Sequence, residues 1–358
     1  MSRSIVRYNM DKIAELKAQY NIIWGKKSNG KSYQLKHKRA VIKFLKTGRR
    51  FILMRRVEAD ISSAWVEQYF RDVDIAGLTD NKYNAVELYR GRIYLVSIDE
   101  NFKKTKGDYM GYAVPLSLEQ RYSSGSFLDV DDIIYEEFMS RMAYIKNEPS
   151  KLETFYNTVD RQEQRVSLWL IGNTVSRVCP YLEEWGLTQV MKNQKKGTIK
   201  LLERDNSGTK VKIAIEFCED SGGKNTAIGN ASGMINDGEW QTDPQPHLPK
   251  SYKNYECLFR MMFYYKGFKF CSEYIKDKKT LETCWFIYPY NGEIKKYTVV
   301  FSDIIKVNKY WQRDIYNPLI DNNNLKELFL TFKESNIFYA SDMAGTDFKQ
   351  VIDFTIRK

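Results

Sequence analysis

Two repeat lengths alternate along the first half of the chain. The run "YNIIW" (20–24) is apolar without alternation, as in a strand buried on both faces, while "SYQLKHKRAVIKFLK" (32–46) carries apolar residues at helical spacing. Next come "RRFILMRR" (49–56), a clear strand, and "ISSAWVEQYFRDV" (61–73), a helix. "NAVELYRGRIYLVSI" (84–98) predicts a hairpin or a long strand turning near Gly91, and "YMGYAVPL" (109–116) a further strand. A short strand at 133–135, a helix "KLETFYNTVDRQ" (151–162) and a strand within "RVSLWLIGNTVSR" (165–177) ending in Asn173 complete an α/β pattern.

The texture then changes. "TIKLLERDNSGTKVKIAIEFCED" predicts two strands around an Asn-Ser-Gly turn, and the following stretch to about residue 249 is rich in Gly, Asn, Ser and Pro. Aromatic and β-branched strands follow, "YECLFRMMFYYKGFKFCSEYI", "CWFIYPY" and "YTVVF" among them. A helix "NNLKELFLTFKES", a strand "NIFYASD" and a last helix around "DFKQVIDF" close the chain. With 358 residues, more than one core is expected. The predicted division is 1–190, a small linker domain at 191–249, and 250–358.

Charge and cysteine usage narrow the chemistry. A formal net charge of +11 favours an acidic partner, nucleic acid being the commonest, although a solvated basic surface gives the same count. The five cysteines contain no C-x-x-C pair and only His37 and His247 offer imidazole, which argues against a disulfide framework or a zinc site. The polar, helical start and the lack of any long apolar run predict a soluble, cytoplasmic protein with reduced thiols.

Between the first strand and helix, Gly25, Lys26, Lys27, Ser28, Asn29, Gly30, Lys31 and Ser32, followed by Tyr33, fit the phosphate-binding pattern G-x-x-x-x-G-K-[ST]. Glycines let backbone N–H groups wrap a pyrophosphate, the helix presents its positive end, Lys31 reaches the terminal phosphates, and the Ser32 hydroxyl joins Mg2+. ATP and Mg2+ are therefore the expected cofactors. The strand at 133–135 ends in Glu136 and Glu137. In motor ATPases the first such carboxylate orients magnesium and the second acts as general base on water. Aspartate is usual at the first position, so Glu136 is a departure. Asp131 and Asp132 compete for the role but sit where the strand begins, whereas phosphate sites lie beyond carboxyl ends. Asn173 either senses the terminal phosphate or the attacking water, or caps a turn.

In this order, "IIWGKKSNGKSY", "FILMRR" with its paired arginines, "DDIIYEEFM" and "LWLIGNTVS" resemble the genome-packaging ATPases of small tailed phages of the phi29 type, distant relatives of large terminases. The resemblance covers roughly residues 20–185. It implies a RecA-like (ASCE) P-loop motor domain, and a homomeric ring, a pentamer, that drives double-stranded DNA into an empty capsid at its portal, in some cases through a structural RNA, in the cytoplasm of the infected bacterium. Each site in such a ring is completed by a neighbour's basic residue, for which Arg161 is the first candidate, with Arg165 and Arg121 behind it. DNA contacts should be phosphate-directed, because a packaging motor accepts any sequence. Arg55, Arg56, Lys103, Lys104, Lys106, Arg141 and Lys146 are the candidates; Arg55 and Arg56 fit a place near the nucleotide or a subunit contact equally well. The order of strands and helices past residue 250 matches an RNase H-like domain. Its first strand carries no carboxylate in "CLFRMMFYY", and Asp342, Asp347 and Asp353 resemble turn and cap residues, so no nuclease activity is expected.

The alternatives are a helicase-like DNA pump using the same sites, a P-loop phosphotransferase acting on a small molecule, and a basic scaffold with a degenerate loop. The adjacent carboxylates argue against the phosphotransferase, which has no use for a water-activating acid.

Overall fold

The computed structural model describes residues 7–140, 144–206, 208–219, 239–292, 298–303, 311–316 and 323–355. Two compact units divide the chain. One holds residues 1–175 and 189–228 with 232–240; the other holds 176–188 and 241–358 with 229–231.

The first unit is a nine-stranded sheet built from β1 (Tyr20–Gly25), β2 (Arg50–Arg55), β3 (Ala85–Tyr89), β4 (Arg92–Ile98), β5 (Lys104–Pro115), β6 (Val130–Glu136), β7 (Ser167–Asn173), β8 (Thr198–Asn206) and β9 (Thr209–Phe217). Their order across the sheet is β3-β4-β5-β2-β6-β7-β1-β9-β8. The six inner strands from β5 to β9 run parallel, and an antiparallel strand or hairpin closes each edge. The apolar runs Ile22–Trp24, Phe51–Met54, Ile133–Tyr135 and Leu168–Ile171 are buried on both faces, which is why they do not alternate. The segment at 84–98 is a hairpin, with Gly91 at φ +74° in the turn, where a left-handed backbone suits glycine.

The strands at 198–217, expected in a separate linker domain, are the last two of this sheet. β9 pairs in parallel with β1, from Tyr20 opposite Ile213 to Trp24 opposite Phe217. Residues 220–238 of the 191–249 segment lie outside the described residues. Asp131 and Asp132 are structural. Lys43 at the far end of the post-loop helix meets Asp132 at 2.5 Å, Trp169 donates its indole N–H to Asp132 at 2.8 Å, and Arg49 donates to Asp131 at 2.9 Å.

The second unit is a six-stranded sheet of β10 (Tyr255–Tyr265), β11 (Phe268–Asp277), β12 (Thr283–Pro289), β13 (Val299–Ser302), β14 (Trp311–Asp314) and β15 (Ile337–Tyr339), ordered β14-β13-β10-β11-β12-β15. β10, β11 and β12 form an antiparallel meander; β13 and β14 extend it in parallel on one side and β15 on the other. Met261, Phe263, Trp285, Ile287 and Phe301 pack with Phe332 of the helix Asn323–Glu334 and with Phe348 and Val351 of the helix Asp342–Thr355. Among the described residues no helix is long and apolar enough to cross a membrane.

Candidate active site

The loop between β1 and the first long helix is shaped by its backbone. Gly25 has φ +141°, a backbone conformation that residues with a side chain rarely adopt, and it lies against Cys218, just beyond β9, so this position needs glycine for its conformation. Gly30, at φ +99°, turns the chain into a helix that runs through Lys31–Gln34, a π-wound stretch Leu35–Ile42 and Lys43–Thr47. Lys31 is 4% exposed and its Nζ is held inside the loop, donating to the carbonyls of Gly25 (3.3 Å) and Lys26 (2.6 Å) and to the side-chain oxygens of Asn29 and Asn173 (both 3.2 Å). Burial pulls its pKa down to about 8. An ammonium so placed is poised for an anion that would repay its lost hydration.

Beside the loop opens a cleft of about 600 Å³, lined by Lys27, Ser28, Asn29, Gly30, Lys31 and Ser32 on one side and by Glu136, Glu137 and Asn173 on the other. Tyr33 also lines it and stacks on His37, ring centroids 5.3 Å apart. Lys26 contributes its backbone carbonyl to Lys31. The sheet order explains the convergence, because β1, β7 and β6 are neighbours and all three end at the same edge.

At the end of β6, Glu136 is 6% exposed and both its carboxylate oxygens are taken. Ser32 Oγ donates to one at 2.9 Å and Tyr69 Oη to the other at 2.6 Å. Burial raises the Glu136 carboxyl above its ordinary range, opposed by these two hydrogen bonds. A hydroxyl and a carboxylate in contact beneath an anion-binding loop are the hard oxygen donors that magnesium takes. Glu137 follows with a left-handed backbone, φ +57°, which turns its side chain out into the cleft at 59% exposure. Its carboxylate accepts a hydrogen bond from Arg55 at 3.0 Å, and the Arg55 guanidinium lies 5.2 Å from the ring of Trp65.

Other sequence-predicted residues lie elsewhere. Arg56 turns inward: its Nε donates to both oxygens of the buried Glu148, at 3.1 and 2.9 Å, and Nη2 donates to the Phe138 carbonyl at 2.8 Å. It is therefore corrected from a DNA contact to an internal tie. Arg165 is likewise engaged, donating to the carbonyls of Val130, Phe127 (3.1 Å) and Val159 (2.6 Å) around the start of β6, away from the cleft. A group so tied is not free to reach a neighbour's phosphate. Arg161, at the left-handed end of the helix Glu148–Asp160, makes one 3.4 Å bond to the Gly125 carbonyl. Arg121 is exposed in the 3₁₀ turn Leu116–Tyr122. Lys103 is exposed at the β4–β5 tip, while Lys104 and Lys106 pair with Glu87 at 3.3 and 3.4 Å. Lys146 lies in the loop before Asn147, and Arg141 is outside the described residues.

Sequence reasoning missed Arg7, Lys36, Tyr69 and Asp72. Arg7 lines the cleft, and the next residue, Tyr8, donates its backbone N–H to the Asn29 carbonyl at 3.0 Å and its hydroxyl to Glu216 of β9 at 2.6 Å. Lys36 pairs with Asp72 and donates to the Tyr69 carbonyl. Only Lys36 was open to detection, since it follows Ser32 by four residues on one helix face.

Over 177 residues the chain is 30% identical to the DNA packaging proteins of Bacillus phages phi29 and PZA, which is 49% of this chain and 48% of each relative. The match thus spans about half the length of these curated relatives. A solved structure described as the bacteriophage Phi-29 viral genome packaging motor assembly shares the fold over 97% of this chain and 99% of its own, with TM-score 0.51 and 22% identity. The description "Podovirus DNA encapsidation protein (Gp16)" matches residues 1–266, nearly three quarters of the sequence, and the chain belongs to that family.

Proposed function

We propose that this chain is an ATPase that moves double-stranded viral DNA into an empty capsid, acting as a homomeric ring of five at the portal vertex in the infected cell. The observation that carries the reading is the pair of strand-end carboxylates with divided surroundings: Glu136 buried and held against Ser32, Glu137 turned into the cleft. The relatives from phi29 and PZA are themselves described as DNA packaging proteins.

In this reading Lys31 and the loop N–H groups hold the β- and γ-phosphates of ATP. Ser32 and Glu136 would hold Mg2+, which supplies charge neutralisation on those phosphates. Asn173, already in contact with Lys31, orients the terminal phosphate or the attacking water. Glu137 takes a proton from that water as its oxygen bonds to the γ-phosphorus, and the bond to the β,γ-bridging oxygen breaks to leave ADP and phosphate. Arg161 of a neighbouring subunit, or else Arg121, stabilises the transferring phosphoryl group. DNA phosphates meet Lys103, Lys104, Lys106, Arg141 and Lys146, and a structural RNA can serve as part of the portal contact.

The second unit is read as RNase H-like, a reading supported by the antiparallel meander β10–β12 flanked by parallel β13 and β14. No nuclease role is assigned, because its buried carboxylates are each engaged by a cation: Glu273 by Arg260, which donates from Nε at 2.7 Å, Asp277 by Lys250 at 2.6 Å, and Asp347 by Arg177.

The test is steady-state ATP hydrolysis with and without double-stranded DNA. Stimulation by DNA is expected, and Glu137→Gln should bind ATP yet not turn it over. Hydrolysis indifferent to DNA, with the protein assembled on portals, would overturn the translocase reading.

A further inference from the structure

We infer that Tyr69 is a positioning residue for the metal-orienting carboxylate, holding Glu136 in the place a shorter aspartate would reach without help. The inference rests on the magnesium-ATP reading of the cleft. A glutamate has one more rotatable bond than an aspartate, so fixing its carboxylate at a strand end costs additional conformational freedom. Here a phenol opposes that freedom. Tyr69 Oη donates to Oε1 at 2.6 Å while Ser32 Oγ donates to Oε2 at 2.9 Å, so the carboxylate is gripped from two sides.

The two grips differ in origin. Ser32 belongs to the phosphate loop itself and is shared with whatever the loop binds. Tyr69 belongs to the helix Ser63–Phe70, which contributes nothing to the loop, and its ring is wedged in place. Lys36 Nζ stands 4.9 Å from the ring centroid and bonds the Tyr69 carbonyl, Trp65 stacks at 5.3 Å, and Phe70 packs edge-on at 5.0 Å. The hydroxyl is thus delivered by a rigid post, which preorganises the carboxylate before the nucleotide arrives. Through Trp65, the same helix also touches Arg55, the partner of Glu137.

Tyr69→Phe deletes the hydroxyl and keeps the ring, so the packing against Lys36 and Trp65 survives. The probe is a fluorescent ATP analogue, titrated at equilibrium with the full-length chain in EDTA and across a range of Mg2+ concentrations. A hydrogen bond to a charged group is worth enough to shift a binding midpoint roughly tenfold or more. The expected result is an Mg2+ midpoint raised by about tenfold, unchanged affinity in EDTA, and a lowered kcat with KM changed little. In a Glu136→Asp background, Tyr69→Phe should add nothing, because the shorter carboxylate no longer meets the phenol. A variant that loses thermal stability but keeps the wild-type Mg2+ midpoint would assign Tyr69 to packing alone and overturn the inference. If the wild-type chain bound the analogue with no dependence on Mg2+, the active-site reading would fall and the inference with it; a magnesium-dependent wild type with an unshifted Tyr69→Phe overturns the inference by itself.

Discussion

Arg56→Ala separates two fates for the paired arginines that end β2. The guanidinium is 12% exposed and its partner Glu148 is wholly buried, receiving Arg56 Nε on both oxygens, the Tyr135 hydroxyl at 2.7 Å and the Ile145 N–H at 2.9 Å. Removing the arginine takes a two-pronged guanidinium off a wholly buried carboxylate, a loss of about 3–5 kcal/mol. At about 2–4 °C per kcal/mol for a unit of this size, the unfolding midpoint should fall by roughly 6–20 °C. Arg56→Lys keeps the charge but not the fork, and should lie between. Adding Glu148→Gln to Arg56→Ala removes the buried charge that lost its guanidinium, so the double variant should be more stable than the sum of the single losses. Thermal unfolding of the four proteins gives the cycle, and DNA binding across salt concentrations gives the contrast. An Arg56→Ala protein that melts at the wild-type temperature and shows a shallower salt dependence of DNA binding would refute the internal role and restore the DNA contact.

Lys31→Met should stabilise the unliganded chain at pH 7 by up to about 3 kcal/mol while abolishing ATP binding, because moving a lysine from 10.5 to about 8 penalises the charged form by that order. The folded state releases its proton first, so wild-type stability rises with pH between about 8 and 10.5, with the penalty fully present below 8; chemical denaturation should show that slope in the wild type and not in the variant. Mixing inactive Arg161→Ala subunits with inactive Glu137→Gln subunits should restore part of the hydrolysis, since each can complete the other's site; a mixture as dead as its components would count against Arg161.

What the sequence disclosed was whatever local geometry imposes. Gly25 and Gly30 mark backbone that few other residues adopt, and the uninterrupted apolar runs of β1, β2 and β7 mark strands covered on both faces. Pairing partners are not local. "KVKIAIEF" reads as a strand, but nothing in it says that it lies parallel to β1 and brings Cys218 against the phosphate loop. Tyr69 and Trp65 were invisible for another reason: an aromatic in an amphipathic helix looks like core whether or not its hydroxyl meets a carboxylate. The paired arginines show the limit within two residues. Successive residues at a strand end point to opposite faces, so Arg55 reaches Glu137 and Arg56 reaches Glu148, a difference that charge counting cannot register.

The same seam changes what the +11 charge implies about DNA. At the start of β2, Arg49 and Arg50 meet Asp131 and Asp129, at 2.5 and 2.7 Å; at its end, Arg55 and Arg56 meet Glu137 and Glu148. Cations at both ends of one parallel strand thus clasp carboxylates around its neighbour β6: Asp129 and Asp131 at its start, Glu137 just past its end, and Glu148 at the head of the helix that follows. A slip of one residue between the two strands would break the clasp at both ends, so these charges help fix the register that delivers Glu136 and Glu137 to the cleft. Four of the arginines that make the chain look like a nucleic-acid binder are therefore committed to ion pairs around the β2–β6 pair. In the proposed packaging role, phosphate contacts would fall to cations off this seam: of the lysines named for it, Lys104 and Lys106 are paired with Glu87, while Lys103 and Lys146 are held in no ion pair among the described residues.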